Sequence, residues 1–185
     1  TMGIVSAKSR DLNILGAEGY ESFIQTDAAI NMGNSGGALV DAEGRLIGIN
    51  TAILSQTGGN IGIGFAVPIK LARSILISLA TEGEVRRGLL GVMPGNIDST
   101  LAESFGLDST RGAIVNQVNE DLPASEAGIE VGDIILEING ERVRDADHLR
   151  LLVASYMPGT EVDVMLLRDG EEKTITVKLA DFDDP

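Results

Sequence analysis

Short apolar runs separated by polar turns make up the first part of this chain of 185 residues. The runs have the length of β-strands, and the glycine, asparagine and aspartate residues between them favour turns. Two of the runs flank the turn "DAEG" at 41–44, which is the pattern of a β-hairpin. The strands predicted in this part cover residues 3–7, 22–28, 37–40, 45–53 and 61–68.

The apolar period changes to that of a helix between residues 69 and 79. Leu71, Ile75 and Leu79 recur at helical spacing. Pro68 precedes them, and proline is favoured at the start of a helix. We therefore predict an amphipathic helix that ends the first part of the chain.

A second set of short strands is predicted after residue 88. One helix interrupts them at 145–156, with Leu149, Leu152 and Val153 on one face. The last two strands flank Asp169-Gly170, a dipeptide that favours a tight hairpin turn. Five short strands with one or two helices predict a small α+β module. The predicted strands cover residues 89–94, 112–118, 132–140, 160–170 and 172–179.

The charge is distributed unevenly between the two parts. The chain has a net charge of −14, and residues 1–87 carry 8 acidic and 7 basic side chains, whereas residues 88–185 carry 20 and 7. A surface this acidic repels phosphate backbones, so no nucleic-acid partner is expected. The asymmetry favours two domains, which we place at 1–82 and 88–181 with a linker at 83–87.

Composition excludes several kinds of site. The chain has no cysteine and one histidine, His148, so disulfides and thiolate metal sites are absent and a zinc site is not expected. No apolar run is long enough to span a bilayer, and the first residues do not form a signal peptide. Because a strand is already under way there, we expect the chain to begin inside a larger protein.

The stretch "INMGNSGGALV" at 30–40 is the strongest candidate for chemistry. It places Ser35 among Gly33, Gly36 and Gly37, and glycine permits backbone conformations that other residues disfavour. In α/β-hydrolases such a serine is followed by a helix. Here a hairpin pattern follows, so a nucleophile in a β-barrel loop is favoured.

Residues 26–53, "TDAAINMGNSGGALVDAEGRLIGINTAI", resemble the nucleophile region of chymotrypsin-like serine proteases of the HtrA/Deg group. "IGIGFAVPIKLARSIL" resembles the last barrel strand and the C-terminal helix of that group. Met32 departs from the pattern, since relatives often carry proline there. The resemblance implies a mainly β fold: the C-terminal barrel half of a protease domain with a terminal helix.

The resemblance also assigns roles in that half-barrel. Ser35 would be the catalytic nucleophile, and the loop Gly33–Asn34–Ser35 would form the oxyanion hole. Asn50, Thr51 and Ala52 would pair with the substrate backbone. An apolar primary pocket for an aliphatic side chain would be lined by Ile30, Ile61, Ile63 and Gly64. Ordinary barrel core remains the alternative for Ile61 and Ile63.

The histidine and the aspartate of the triad would lie before Thr1, outside this chain. His148 is expected to be a surface residue of the second module and no substitute for that base, and Asp27 to make a hydrogen bond at a strand end. Without a base, a serine hydroxyl is a weak nucleophile, so the chain alone is expected to be nearly inactive. The missing half-barrel would also leave an apolar interface of residues 1–80 exposed.

"RRGLLGVMPG", "SEAGIEVGDIILEINGERV" and "PGTEVDVMLLRDGEEKTITVKL" resemble a PDZ domain in the permuted order of HtrA-type proteases. Such domains bind C-terminal peptides as an added strand. By resemblance, Leu90, Gly91 and Val92 would form the carboxylate-binding loop and the start of its strand. Leu149 and Leu152 would line the pocket for the last peptide side chain, with simple core packing as the alternative.

The whole resemblance implies a fragment of an ATP-independent, PDZ-regulated serine endopeptidase that degrades unfolded or misfolded proteins. No cofactor or metal is expected. Expected partners are unfolded proteins, C-terminal peptides, the N-terminal protease half and further copies in a trimer-based oligomer, in the periplasm or cell envelope. The alternative is a non-catalytic peptide-binding protein with a vestigial barrel.

Overall fold

The computed structural model describes residues 1–10, 12, 21–53 and 60–183, and the chain forms two compact units, Thr1–Val85 and Arg86–Pro185. Strands dominate both units, which confirms the mainly β prediction. None of the described helices is both long and apolar enough to cross a membrane.

In the first unit, the described residues form a five-stranded antiparallel sheet with one helix. The strand order is β1-β2-β5-β4-β3, so the edges are β1 and β3. The helix α1 (Ile69–Glu82) contacts β4 and β5. The strands are β1 (Val5–Arg10), β2 (Phe23–Thr26), β3 (Ala38–Val40), β4 (Leu46–Ile53) and β5 (Gly64–Pro68).

Each strand predicted in the first unit is present, with small shifts at the ends, and the 41–44 turn closes with the N–H of Gly44 donating to the oxygen of Asp41 at 3.0 Å. Helix α1 differs from its predicted face. Leu79 is exposed, while Ala72 and Ser78 are buried. The helical spacing was right, but the stripe that packs on the sheet is rotated from the one that the leucines marked.

The first unit has a small core and a large exposed apolar surface. Phe65 and Ala66 of β5 are fully buried, and the Phe65 ring meets Phe23 edge-on at 6.2 Å between centroids. Many large apolar side chains remain exposed, as the sequence predicted for an isolated half-barrel. The exposed ones include Met2, Ile4, Met32, Val40, Leu46, Ile61, Leu76 and Ile77.

The second unit is built on an antiparallel sheet of order β12-β11-β9-β8-β7, with β10 paired to β9. A separate two-stranded sheet joins β6 to β13. The strands are β6 (Gly88–Leu89), β7 (Val92–Asn96), β8 (Ala113–Val118), β9 (Ile134–Ile138), β10 (Glu141–Arg142), β11 (Glu161–Arg168), β12 (Glu171–Lys178) and β13 (Ala180–Asp181). The helices are α2 (Ser99–Ser104), α3 (Pro123–Glu126) and α4 (Ala146–Ala154).

The hairpin predicted at Asp169-Gly170 is present. Arg168 pairs with Glu171, and both turn residues have positive φ, 53° and 81°. These angles are typical of the two-residue turn whose twist matches that of the strands. The turn sets the register of the long β11–β12 ladder.

Helix α4 buries the face that the sequence predicted, since Leu149, Leu152 and Val153 lie in the main core of the second unit. The second unit also holds an ion pair whose carboxylate is buried, between Asp133 and Arg168. Asp133 is 1% exposed and accepts two hydrogen bonds from Arg168, at 2.7 and 2.6 Å. Burial of a charge is tolerated when it is paired and fully hydrogen-bonded. The Asp133 hydrogen bonds also raise the pKa of Arg168.

Candidate active site and peptide-binding edge

Ser35 lies at an exposed tight turn that two glycines make possible. Gly33 and Gly36 have φ of 93° and 82°, in the region that favours glycine. The N–H of Asn34 donates to the oxygen of Asn31 at 3.0 Å, and the N–H of Gly37 donates to the oxygen of Asn34 at 3.0 Å. Two successive turns therefore present Ser35 to solvent.

Three hydrogen bonds among the described residues attach the turn to β4. Gly36 donates to the oxygen of Asn50 at 2.8 Å, and Asn50 donates back to the oxygen of Gly37 at 2.9 Å. The Ser35 hydroxyl donates to the main-chain oxygen of Thr51 at 3.2 Å. The serine thus lies beside the strand that was predicted to pair with substrate.

Among the described residues, two of the five N–H groups of residues 33–37 have no acceptor. The turns and the attachment to β4 use the N–H groups of Asn34, Gly36 and Gly37. Within the part of the chain that the structure describes, the N–H groups of Gly33 and Ser35 donate to no acceptor. These are the two donors that an oxyanion hole in this loop requires.

The predicted pocket residues differ in exposure. Ile30 is buried and packs on Gly64, where an added Cβ would lie 2.9 Å from the Ile30 Cδ1. Ile63 is half-buried, whereas Ile61 is 60% exposed, so the alternative of barrel core is wrong for Ile61. Ala52 pairs with Phe65 through its main chain.

Asn60, for which no role was predicted, makes three hydrogen bonds beside Ile30. Its Nδ2 donates to the oxygen of Ile30 at 3.0 Å, and its N–H donates to the Asn31 Oδ1 at 3.1 Å. Its own Oδ1 accepts from the N–H of Gly62 at 2.7 Å. The Asn-x-Gly spacing at 60–62 was the available signal for this turn.

The expectation that His148 is a surface residue is wrong. Its side chain is 6% exposed, its Nδ1 accepts a hydrogen bond from the N–H of Arg144 at 3.3 Å, and its Nε2 lies 4.0 Å from the Glu141 carboxylate. The Asp145 carboxylate caps α4 by accepting a hydrogen bond from the main-chain N–H of His148 at 2.7 Å. Asp27 accepts from the N–H of Ile4 at 2.7 Å, the strand-end role that was predicted.

In the second unit, the loop before β7 directs its carbonyl groups inward. The oxygen of Leu90 accepts from the N–H of Ala124 at 2.8 Å, and the oxygen of Gly91 accepts from that of Asn119 at 2.9 Å. In a trans peptide the N–H points opposite to the preceding carbonyl. The N–H groups of Gly91 and Val92 therefore point away from residues 119–124, side by side.

Gly91 is required at this loop for two reasons. Its φ is 89°, and an added Cβ would lie 2.5 Å from the Leu122 Cβ. Leu122, which no motif indicated, thus closes the rear of the loop.

The predicted pocket residues of the PDZ-like unit are packed in its core. Leu149 and Leu152 lie with Leu90 in one core cluster, and Val92 packs against it. Core packing is therefore observed for both leucines, whether or not they also contact a peptide.

Two family models match the chain. Residues 1–49 match a trypsin-like peptidase domain, and residues 88–179 match a PDZ domain. The chain is 48% identical over 179 residues to the periplasmic serine endoprotease DegP of Escherichia coli, covering 97% of this chain and 37% of DegP. It is 47% identical over 180 residues to the pH-dependent periplasmic endoprotease DegQ of the same species, with 97% and 39% covered.

Solved structures agree with these matches. A structure of the HtrA-type protease AlgW with a tripeptide is 48% identical to this chain, with a TM-score of 0.74, and the match covers 100% of this chain and 61% of that one. A structure of AlgW with a decapeptide is 47% identical, with a TM-score of 0.69, and the match covers 99% of this chain and 56% of that one. The chain thus spans 37–39% of DegP and DegQ and 56–61% of the AlgW chains, less than two thirds in each case.

Proposed function

This chain belongs to the HtrA/Deg group of serine proteases, and from that membership we propose that it carries the nucleophile half of a serine endopeptidase together with a peptide-binding PDZ domain. The observation that carries the proposal is the Ser35 loop. It presents an exposed hydroxyl beside β4 and keeps two N–H groups, those of Gly33 and Ser35, without an acceptor among the described residues.

The proposed reaction is acyl transfer through Ser35. Its Oγ attacks the carbonyl carbon of the scissile peptide bond while a histidine outside this chain takes the hydroxyl proton. The N–H groups of Gly33 and Ser35 stabilise the negative charge that develops on the substrate oxygen. The histidine then protonates the leaving amine, and water hydrolyses the acyl-enzyme to free Ser35.

Substrate is held by β4 and by the pocket beneath the loop. Thr51 and Ala52 follow on β4 near Ser35, and the Thr51 oxygen lies 3.2 Å from the Ser35 Oγ. Both main-chain groups of Asn50 are already bonded to Gly36 and Gly37, so Asn50 positions the loop instead of pairing with substrate. Ile30, half-buried Ile63 and exposed Ile61 give the region beside Gly64 an apolar surface, which supports an apolar primary pocket. We therefore propose a preference for small or medium aliphatic side chains before the cleaved bond.

The PDZ domain is proposed to bind the C-terminus of an extended peptide along β7. The adjacent N–H groups of Gly91 and Val92, which point out of the loop, suit a terminal carboxylate. Leu90, Leu149 and Leu152 supply an apolar surface for the last side chain. The similar AlgW structures with a tripeptide and a decapeptide support a peptide ligand.

The protein containing this chain is proposed to degrade unfolded or misfolded proteins without ATP, in the periplasm and as a trimer-based oligomer. The periplasmic names of DegP and DegQ support the location. The histidine and the aspartate of the triad are proposed to come from an N-terminal protease half. That half would also cover the exposed apolar side chains of the first unit.

A fluorophosphonate probe, which reacts with activated serines, tests the catalytic proposal. The protein containing this chain should be labelled on Ser35, and Ser35→Ala should abolish labelling, whereas Ser99→Ala, at an exposed serine of α2, should not. The 185-residue chain alone should stay unlabelled. A protein that binds C-terminal peptides but is never labelled would instead establish the alternative, a non-catalytic peptide-binding protein.

A further inference from the structure

Strand β7 is a free sheet edge that lacks one main-chain donor. Among the strands that the structure describes, it ends the order, and only β8 pairs with it. Pro94 stands at the centre of β7, and proline has no N–H. The consequence for a ligand depends on whether the missing N–H would face β8 or the free side.

The hydrogen bond made just before the strand determines this direction. The Gly91 oxygen points toward Asn119, directly after β8, and no cis peptide bond occurs among the described residues. The N–H of Val92 therefore points away from β8. Because main-chain groups alternate along a strand, those of Met93 face β8 and those of Pro94 face the free side.

Register and burial agree with this assignment. Met93 pairs with Gln117 and Pro94 with Val115, so the extra residue of the bulge lies on β8 and the alternation along β7 is uninterrupted. The side chains of Val92 and Pro94 face the core, whereas Met93 is 54% exposed. Proline is tolerated in a sheet where its missing N–H faces away from the neighbouring strand.

We propose that Pro94 is a specificity-determining residue of this edge, an inference that rests on the proposed peptide binding by the PDZ domain. A peptide whose carboxylate lies at Gly91 runs antiparallel to β7. Its last residue faces Val92, and its third-last residue faces Pro94. Val92 offers both a donor and an acceptor, whereas Pro94 offers only an acceptor.

The third-last carbonyl of the ligand therefore finds no donor on β7. A carbonyl that loses its water on binding without gaining a donor weakens binding. Pairing of the ligand with β7 beyond this residue should therefore add little binding free energy. Strand β7 should therefore bind mainly the last three residues of a ligand and gain little from a longer extended segment. Lengthening a ligand beyond its third-last residue should change its affinity by less than about threefold.

The test restores an N–H donor at position 94 with protein variants and, separately, weakens the acceptor at the third-last carbonyl with modified peptides. The protein containing this chain is compared with Pro94→Ala and with Pro94→Val, which keeps more of the buried volume. Pro158→Ala, at a proline outside β7, is the matched control. The ligands are pentapeptides ending in valine: one unmodified, one with a thioamide in place of the third-last carbonyl, and one with an amidated C-terminus. Dissociation constants are measured by calorimetry, and thermal unfolding checks that each variant folds.

Both Pro94 variants should bind the unmodified peptide roughly 3- to 10-fold more tightly than the wild type, the effect of one added hydrogen bond. The thioamide, a weaker acceptor, should cancel that gain but leave wild-type binding within about twofold. Pro158→Ala should bind like the wild type.

Equal affinities of the wild type and both folded Pro94 variants would overturn the role of Pro94 while leaving the PDZ function intact. A wild-type loss with the thioamide as large as that of the variants would overturn it too. If the wild type did not distinguish the free carboxylate from the amide, the proposed peptide binding would fail, and this inference would fail with it.

Discussion

The hydroxyl of Ser35 donates a hydrogen bond to the main-chain oxygen of Thr51, at 3.2 Å. The two residues are 16 positions apart, and this contact holds the candidate nucleophile against the strand proposed to receive substrate. A catalytic base must take over this proton, so the hydroxyl has to leave Thr51 before attack. Catalysis is therefore expected to depend on the loop geometry that keeps Ser35 beside β4.

Replacing Gly33 by alanine should impair catalysis more than substrate binding. Gly33 has a φ of 93°, which alanine disfavours, so the loop would rearrange and displace its N–H. Loss of one oxyanion donor lowers kcat by about 10²- to 10³-fold. The kcat for peptide hydrolysis, compared between the wild-type protein containing this chain and its Gly33→Ala variant, measures this loss.

The control for that variant is Gly44→Ala, in the 41–44 turn. Its φ of 79° is similar, and nothing lies near an added Cβ. It should lose about 1 kcal/mol of stability but keep its kcat. An equal loss of kcat in both variants would show that backbone strain, and not the oxyanion donor, is responsible.

Gly64→Ala should disturb the proposed primary pocket. The added Cβ would lie 2.9 Å from the Ile30 Cδ1, so overpacking should cost about 1–3 kcal/mol in the free energy of unfolding. We expect a lower kcat/KM for peptides with an aliphatic residue before the cleaved bond. Adding Ile30→Val removes that methyl group and should recover part of both losses; no recovery would contradict the contact.

Gly91→Ala should abolish most peptide binding by the PDZ domain. The added Cβ would clash with Leu122 at 2.5 Å and displace the carboxylate-binding N–H groups. We expect the dissociation constant of a C-terminal peptide to rise by more than about tenfold. Gly159→Ala, with a φ of 80° and open space around it, should lose stability only. Unchanged affinity in a folded Gly91→Ala variant would exclude this loop as the carboxylate site.

Asp133→Asn should strongly destabilise the second unit. Removing one partner of a buried ion pair costs about 3–5 kcal/mol, because the Arg168 guanidinium loses its compensating charge. Glu130→Gln is the matched control, since Glu130 also bonds Arg168, at 2.8 Å, but its side chain is 67% exposed. The control should lose less than about 1 kcal/mol in urea unfolding. Similar losses of unfolding free energy in Asp133→Asn and Glu130→Gln would show that burial of the carboxylate does not determine the contribution of the ion pair to stability.

The ion pair between Arg86 and Asp181 should give a pH-dependent contribution to stability. The hydrogen bond from Arg86 lowers the pKa of Asp181 below its ordinary 3.8. The stabilisation is therefore present above that value and is lost as the pH falls through the lower pKa of the folded state. The difference in unfolding free energy between wild type and Asp181→Asn should shrink below pH 3.8. A difference that stayed constant across this range would contradict the pairing.

Elements set by local pattern were predicted well. The hairpin at Asp169-Gly170 and the buried face of α4 follow from turn chemistry and from periodicity, which depend on neighbouring residues. The strand pairs β6–β13 and β9–β10 were missed, because two-residue strands carry no periodic signal. Helix α2 was missed as well, since its six residues are too few for a clear pattern.

By itself, the sequence determined three segments of this protein: the glycine-rich turn at Ser35, the loop at Gly91 and the apolar face of α4. Only the tertiary structure decided that the N–H groups of Gly33 and Ser35 have no acceptor among the described residues and that His148 is buried. It also decided that the N–H missing at Pro94 would have faced the free edge of β7. The reason is that a local pattern constrains dihedral angles and faces. Which polar groups remain unpaired depends on partners far along the chain, as with Gly91 and Asn119.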